Sequence, residues 1–164
     1  GLPVVSLVDT PGFMVGPESE KTATVRHFSR MFLAGAHAEV PMVAVVLRKA
    51  YGLGAMAMSG GSTKAPVLAV SWPTGEFGGM GLEGAVRLGY RRELDRITDP
   101  AERESRYLEL VAQMYERGKA LSIASVFEID DVIDPAETRR IITLSLDAAH
   151  GGRPGRAEGY LDAW

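Results

Sequence analysis

One run of six residues restricts the possible folds of this chain more than any other feature. Residues 42–47 are apolar without interruption, and Pro41 stands directly before them. A strand that is apolar along its whole length is typical of parallel sheets, because helices cover such a strand on both faces. Two more runs, at residues 4–8 and 66–71, are bounded by turn-forming residues and predict two further strands.

Helical patterns alternate with these strands. Residues 21–38 carry apolar side chains at spacings of three and four, which predicts one helix that ends before Pro41. Residues 52–54 form a glycine-rich turn leading into a helix of small residues, and residues 80–90 predict another helix. The first of these helices is expected to bury one face, formed by Val25, Phe28, Phe32 and Ala36.

The sequence Asp-Pro-Ala-Glu occurs at residues 99–102 and 134–137 and marks two helix starts. In each copy Asp is the cap, Pro takes the first helical position and Glu follows three residues after the cap. Glycines at 118 and 151 mark the predicted ends of these helices. The second helix is expected to bury a stripe made of Ile141, Leu144 and Ala148.

Strands that alternate with helices indicate a single α/β domain, which we predict over residues 1–150. Residues 151–164 are rich in Gly, Arg and Ala without a clear period, so we expect an extended or partly disordered tail. The chain begins with Gly1 and enters a strand almost at once. We therefore expect it to be a piece of a longer protein.

Composition excludes several functional classes. The 164 residues carry a formal net charge of -3, which argues against nucleic acid and against an anionic membrane as partner, since both favour a basic surface. No run of 18 apolar residues could span a bilayer. The chain has no Cys, so disulfides, thiolate catalysis and Cys-based metal sites are excluded, and we expect a cytoplasmic location.

Four segments, in order, resemble the C-terminal half of the carboxyltransferase (β) subunits of biotin-dependent acyl-CoA carboxylases. They read DTPGFMVG, then VP with RKAYG, then WPT with MGLEGAV, and finally IDDVIDP with TR. The resemblance covers residues 3–147. It implies a crotonase-like ββα superhelix and transfer of a carboxyl group from carboxybiotin to the α carbon of an acyl-CoA.

The segment around residues 51–55 carries the chemistry. A strand that ends in a glycine turn and starts a helix leaves backbone N–H groups without partners, in the positive field of the helix dipole. Such donors can stabilise an oxyanion, although a plain structural junction would also need Gly here. The resemblance implies that the amides of Leu53 and Gly54 hold the ureido oxygen of biotin, framed by Tyr51, Gly52 and Ala55.

Met56 stands where propionyl-type relatives of the family have Asp. A flexible apolar side chain here is consistent with an acyl pocket for a longer or branched chain, or with an ordinary core methionine. Two other features carry less weight. Glu76 and Glu83 are candidates for the acid and base of a hydratase, and Arg48 with Lys49 for steering CoA phosphates or a biotin carrier. The three His residues lack metal-ligand spacing, so we predict no metal site.

The resemblance also implies ligands and partners. These are biotin presented by a carrier domain, an acyl-CoA substrate, a biotin carboxylase or biotin carrier subunit, an N-terminal carboxyltransferase domain with a second oxyanion site, and further copies of the same subunit. Without that N-terminal domain the chain is expected to be inactive. Alternatives are a crotonase-type CoA hydratase, a biotin-dependent decarboxylase subunit, and a non-catalytic module for oligomerisation or carrier docking. The residues leave acyl chain length, oligomer size and pathway open.

Overall fold

The computed structural model describes residues 1–151, so all but the first residue of the predicted tail at 151–164 lies outside the described residues. Its centre is a five-stranded sheet in which every strand pair is parallel. The parallel sheet predicted from the apolar run is therefore confirmed. The strands are β1 (Val4–Thr10), β2 (Met42–Tyr51), β3 (Leu68–Ser71), β4 (Glu76–Gly78) and β5 (Asp131–Val132).

The long strand β2 organises the sheet. β1 pairs with one edge of β2, while β3 and β4 share its other edge, and β5 pairs with β3. Between β3 and β4 the chain stays close to β2, because the amide of Trp72 donates to the carbonyl of Val46 at 2.9 Å. The hydroxyl of Thr74 donates to the carbonyl of Leu47 at 2.6 Å. β4 was not predicted, because its three residues show no apolar run.

The helices lie around this sheet. They are α1 (Pro17–Lys21), α2 (Thr24–Ala36), α3 (Gly52–Met58), α4 (Leu82–Gly89), α5 (Arg91–Leu94), α6 (Pro100–Gly118), α7 (Ala120–Ser125) and α8 (Thr138–Gly151). A 3-10 turn at Pro135–Glu137 precedes α8. Both predicted caps are confirmed: the Asp99 carboxylate accepts from the amide of Ala101 at 3.0 Å, and that of Asp134 from the amide of Ala136 at 2.8 Å.

Side chains of β2 enter a core on each face of the sheet, as its apolar sequence predicts. On one face Val46 and Ala50 pack with Ala55 of α3 and with Phe77 of β4. On the opposite face Val43 and Val45 pack against α8. A third cluster lies away from the sheet, where α4, α5 and α6 meet, and consists of Val86, Leu94 and Leu110.

The helix predicted over residues 21–38 is confirmed as α2, but it begins three residues later than predicted, at Thr24. Ala23 adopts a left-handed conformation with φ 54° and separates α1 from α2. The hydroxyls of Thr22 and Thr24 both donate to the carbonyl of Ser19, at 3.0 and 2.7 Å, so side chains replace the helical bonds at this point. Val25, predicted to be buried, is 60% exposed.

The face assigned to α8 was also partly wrong. Leu144 is 55% exposed and Ala148 is exposed, whereas Ile141 packs on the sheet together with Ile142 and Leu146. Both faces of this helix carry apolar residues, so spacing alone could not tell which face meets the core.

Exposed apolar side chains occur on β1, on the segment after it and on α2. In β1 these include Val5 and Leu7, the segment after β1 adds Met14 and Val15, and α2 adds Val25, Met31 and Leu33. A ring stack of Phe13 on Phe28, with centroids 3.8 Å apart, ties the segment after β1 to α2. Among the described residues no helix is both long and apolar enough to cross a membrane.

Candidate active site

The carboxyl ends of the parallel strands meet at one edge of the sheet. Thr10 at the end of β1 pairs with Ala50, and Tyr51 at the end of β2 pairs with Gly78 at the end of β4. The DTPG turn, the start of α3 and the glycines after β4 therefore lie together. In open α/β sheets such an edge is where ligands usually bind.

Helix α3 follows β2 without an intervening residue, so the predicted turn is the first turn of the helix itself. Gly52 takes φ 56°, and a methyl group at its Cα would lie 2.6 Å from the carbonyl oxygen of Gly79. Gly54 is packed just as closely, because a methyl group there would lie 2.9 Å from the Cα of Gly12. Gly52 therefore requires glycine both for its backbone conformation and for space, and Gly54 requires it for space.

The first turn of α3 supplies amide donors. Leu53 and Gly54 are its second and third residues, and the amides at the start of an α-helix have no acceptor within the helix. The capping residue, Tyr51, provides no side-chain hydrogen bond to them. Local structure at the predicted turn thus places two backbone donors at the carboxyl edge of the sheet.

A pocket of about 540 Å³ lies beside this turn. Four of the six predicted site residues line it, namely Gly52, Leu53, Ala55 and Met56, whereas Tyr51 and Gly54 do not. Met56 is 7% exposed, so it is both a core residue and a pocket wall. The remaining lining residues come from five other segments: Val46, Ala50, Ser59, Thr63, Phe77, Gly78, Gly79, Ile123 and Glu128.

Tyr51 does not line the pocket and is 2% exposed. Its hydroxyl donates to Glu76 Oε2 at 3.0 Å. Burial, followed by this hydrogen bond, raises the pKa of Tyr51 well above its ordinary value. The phenol therefore stays protonated and holds the end of β2 against β4.

Glu83 is likewise bound to a tyrosine. The Tyr115 hydroxyl donates to Glu83 Oε1 at 2.6 Å. This bond lowers the pKa of Glu83 and is the main reason that the pKa of Tyr115 rises to about 12. Glu76 and Glu83 both accept tyrosine hydroxyls, and neither lines the pocket. Their placement does not favour the hydratase hypothesis.

Arg48 is engaged at the end of β1. Its guanidinium lies 3.2 Å from Asp9 Oδ2, and the amide of Lys49 donates to Asp9 Oδ1 at 3.1 Å. The Arg48 hydrogen bond, followed by the Lys49 amide, holds the pKa of Asp9 below its ordinary value. Arg48 thus makes a structural contact with Asp9, whereas the sequence suggested that it steers CoA phosphates or a biotin carrier.

This contact predicts a pH-dependent stability effect. Because Asp9 has a lowered pKa in the folded state, its contribution is complete above the unfolded pKa, near 3.9, and is lost as pH falls through the folded value. At pH 7 Asp9→Asn should lower the free energy of unfolding by at most about 1 kcal/mol, since the pair is solvent-exposed. Urea titrations at pH 7, 5 and 3 should show this difference shrinking below about pH 4. A difference that stays constant down to pH 3 would contradict the assignment.

Neither of the two histidines that the structure describes in full belongs to a site. His27 and His37 are exposed on and after α2, and His37 Nδ1 lies 2.8 Å from the carbonyl of Leu33. The side chain of His150 lies outside the described part. Within residues that the structure describes, no group of three His, Cys, Asp or Glu is placed to hold a metal.

Sequence reasoning missed several pocket residues. Thr63 follows α3, Gly79 follows β4, and Glu128 follows α7, so three loops distant in sequence meet here. The Thr63 hydroxyl donates to Glu128 Oε1 at 2.8 Å across 65 residues of chain. The only local pattern that could have pointed to any of these residues is the glycine pair Gly78-Gly79 before α4.

Comparison with known proteins gives the family. Residues 1–154 match the family model described as carboxyl transferase domain. The structure of a single-chain, multi-domain long-chain acyl-CoA carboxylase is 61% identical with a TM-score of 0.76, covering 88% of this chain and 14% of that one. The structure of transcarboxylase 12S, described as a hexamer assembly with methylmalonyl-CoA and methylmalonic acid bound, is 34% identical with a TM-score of 0.82. That match covers 99% of this chain and 31% of that one.

One curated relative is named for a different reaction, a decarboxylation. Methylmalonyl-CoA decarboxylase subunit alpha of Propionigenium modestum is 33% identical over 163 residues, covering 98% of this chain and 31% of that protein. The chain spans less than a third of the length of the curated relatives it matches. The resemblance and the crotonase-like α/β fold predicted from the sequence are confirmed by these matches. The chain belongs to the carboxyl transferase domain family.

Proposed function

We propose that this chain forms the biotin-side domain, residues 1–150, of an acyl-CoA carboxyltransferase. The observation that carries the proposal is the pocket beside the first turn of α3 in a member of this family. Carboxybiotin, when bound, supplies the carboxyl group that is transferred to the α carbon of the acyl-CoA. The chain's own residues bind and orient the biotin group, and they exclude water from the pocket.

The pocket fits a ligand of this kind. Its volume of about 540 Å³ lies within the range of small-molecule sites. Leu53 lines the pocket, and its amide is a neutral donor that can bind a ureido oxygen as it gains negative charge without taking up a proton; the amide of Gly54 is the next donor in the same turn, although Gly54 does not line the pocket. The close contact between Gly52 and Gly79 fixes the turn, which keeps the amides oriented before the ligand arrives.

The relatives of this chain are named for different reactions, and this difference helps to rank the alternative functions. A decarboxylase subunit is the second candidate, since the relative from Propionigenium modestum matches 98% of the chain. The transferase is preferred because the 61% identical relative is a carboxylase. A hydratase has less support, because Glu76 and Glu83 are bound to tyrosines outside the pocket lining.

The proposed partners agree with the surface of the domain. Exposed apolar side chains on β1, and separately on α2, can be covered by the N-terminal carboxyltransferase domain and by further copies of the subunit. Transcarboxylase 12S, which is similar to this chain, assembles as a hexamer. A biotin carrier domain would reach the pocket from its open side.

The test is transfer of a carboxyl group from free carboxybiotin to acyl-CoA, followed by mass spectrometry of the thioester product. We expect the 164 residues alone to give no measurable turnover, and turnover to appear when they are joined to an N-terminal carboxyltransferase domain. Robust turnover by the 164 residues alone would refute the need for that domain. Decarboxylation of a malonyl-type thioester without net carboxylation would support the second candidate instead.

A further inference from the structure

We infer, on the basis of the proposed function, that the hydrogen bond between Tyr51 and Glu76 positions the amide donors at the start of α3. Neither residue lines the pocket, so both act through the backbone that they hold and not by contact with the ligand. They are positioning residues for carboxyl transfer. For Glu76 this role replaces the acid or base role that the sequence suggested.

The bond starts at the residue that directly precedes the donors. Tyr51 is the last residue of β2 and the cap of α3, so it stands one position before Gly52 and two before Leu53. Its side chain makes no hydrogen bond to the amides of the first turn. The hydroxyl donates instead to Glu76 Oε2 at 3.0 Å. The end of β2 is thus tied to β4, and the amides are left free to bind a ligand.

The ring of Tyr51 also packs on β4. Tyr51 pairs with Gly78, and Glu76 lies two residues earlier on the same face of that strand. A methyl group at the Cα of Gly78 would lie 3.6 Å from Tyr51 Cδ1, so the ring covers the bare backbone there. The next residue is Gly79, whose carbonyl oxygen lies beside Gly52. One buried side chain therefore holds together the two backbone segments that line this end of the pocket.

The acceptor is held in place from the other side of β4. Glu76 forms an antiparallel bridge with Lys119, which connects α6 to α7. Next to this bridge, the amide of Ala120 donates to the carbonyl of Gly75 at 3.0 Å. Since β4 is bonded to β2 on one edge and to this junction on the other, the Glu76 carboxylate is a fixed reference point for the turn.

A bond of this kind can control a reaction rate. Hydrogen bonds to a carboxylate are about twice as strong as those between neutral groups. Groups that stabilise a transition state must be held within about 0.5 Å of their productive position, and a misplacement of about 1 Å can lower a rate about 100-fold. Without the Tyr51 hydroxyl, the turn that carries the Leu53 amide loses its bond to β4.

The test measures kcat and KM of carboxyl transfer in the protein joined to an N-terminal carboxyltransferase domain. Tyr51→Phe removes only the hydroxyl and should lower kcat by about 10- to 100-fold. KM for the acyl-CoA should stay unchanged, because the hydroxyl bonds to Glu76 and not to the substrate. Glu76→Ala should lower kcat in the same way, whereas Glu76→Gln, which keeps an acceptor for Tyr51, should recover most of it.

Tyr115→Phe is the matched control. It also removes one tyrosine hydroxyl that donates to a glutamate, but its bond to Glu83 joins α6 to α4 and not the two strands that end at the turn. Its kcat should equal that of the unaltered protein. Urea unfolding checks that each variant is folded.

Hydrogen exchange measured by mass spectrometry gives a readout that does not depend on activity. The peptide that contains α3 (Gly52–Met58) should exchange faster in Tyr51→Phe, because the residue that caps the helix is no longer bonded to β4. In Tyr115→Phe its exchange should not change.

The outcomes separate this inference from the proposed function. If the joined protein transfers carboxyl groups and a folded Tyr51→Phe variant keeps full kcat, the function stands and the inference fails. An equal loss of kcat in Tyr115→Phe would also overturn the inference, as would a loss in Tyr51→Phe that appears only in KM. If the unaltered joined protein transfers nothing, the proposed function fails. Exchange then decides whether the bond positions the turn: faster exchange of α3 in Tyr51→Phe alone supports it, and equal exchange in both tyrosine variants overturns it.

Discussion

Replacing Leu53 with proline is expected to lower the kcat of carboxyl transfer by about 100- to 1000-fold, which is the usual effect of removing one oxyanion donor. Proline has no backbone N–H, and Leu53 lies in the first turn of α3, where that N–H makes no helical bond. The helix should therefore tolerate the change. Turnover is measured in the joined two-domain protein, and circular dichroism checks the fold.

Leu53→Ala is the matched control, since it shortens a side chain that is 43% exposed but keeps the amide. Its kcat should stay close to that of the unaltered protein. If both variants lose activity equally, the side chain and not the amide is responsible. If a folded Leu53→Pro protein keeps full activity, the oxyanion role of this amide is refuted.

Replacing Gly52 with alanine is expected to lower the free energy of unfolding by about 2–4 kcal/mol, because two penalties add. A Cβ at φ 56° strains the backbone, and that atom would lie 2.6 Å from the carbonyl oxygen of Gly79. This neighbour is main chain and cannot move aside as a flexible side chain would. Urea unfolding followed by circular dichroism measures the loss.

Gly79→Ala is the control for this experiment. A Cβ at Gly79 would meet no atom within 4 Å, so the variant should unfold at nearly the urea concentration of the unaltered chain. Equal losses for the two variants would show that general backbone stiffening, and not the contact between the two glycines, explains the Gly52 result.

Local patterns predicted those parts of the fold that depend on neighbouring residues. The apolar run in β2 indicated a strand covered on both faces, and helices do lie on both. The two Asp-Pro-Ala-Glu segments predicted helix starts because a cap depends on three or four consecutive residues. Local patterns gave the wrong answer where tertiary contacts determine the structure. Such contacts determine the three-residue strand β4 and the choice of which face of α8 is buried.

The candidate site also has a part that local sequence predicts and a part that depends on tertiary contacts. The donors at Leu53 and Gly54 follow from a strand that runs directly into a helix, which local sequence indicates. Ser59 and Ile123 reach the pocket only because α3 and α7 pack on the same face of the sheet. No spacing within the sequence could bring together residues that lie 64 positions apart.

The parallel arrangement of the strands divides the chain into two kinds of segment. Val43 and Val70 contact only the core, whereas the pocket is lined by one side of β2, by β4 and by residues of the segments that follow them. Substitution or lengthening of those connecting loops can therefore alter substrate preference while the sheet keeps its register. A carboxylase and a decarboxylase can thus share this framework, and loops exchanged between such relatives should fold on it.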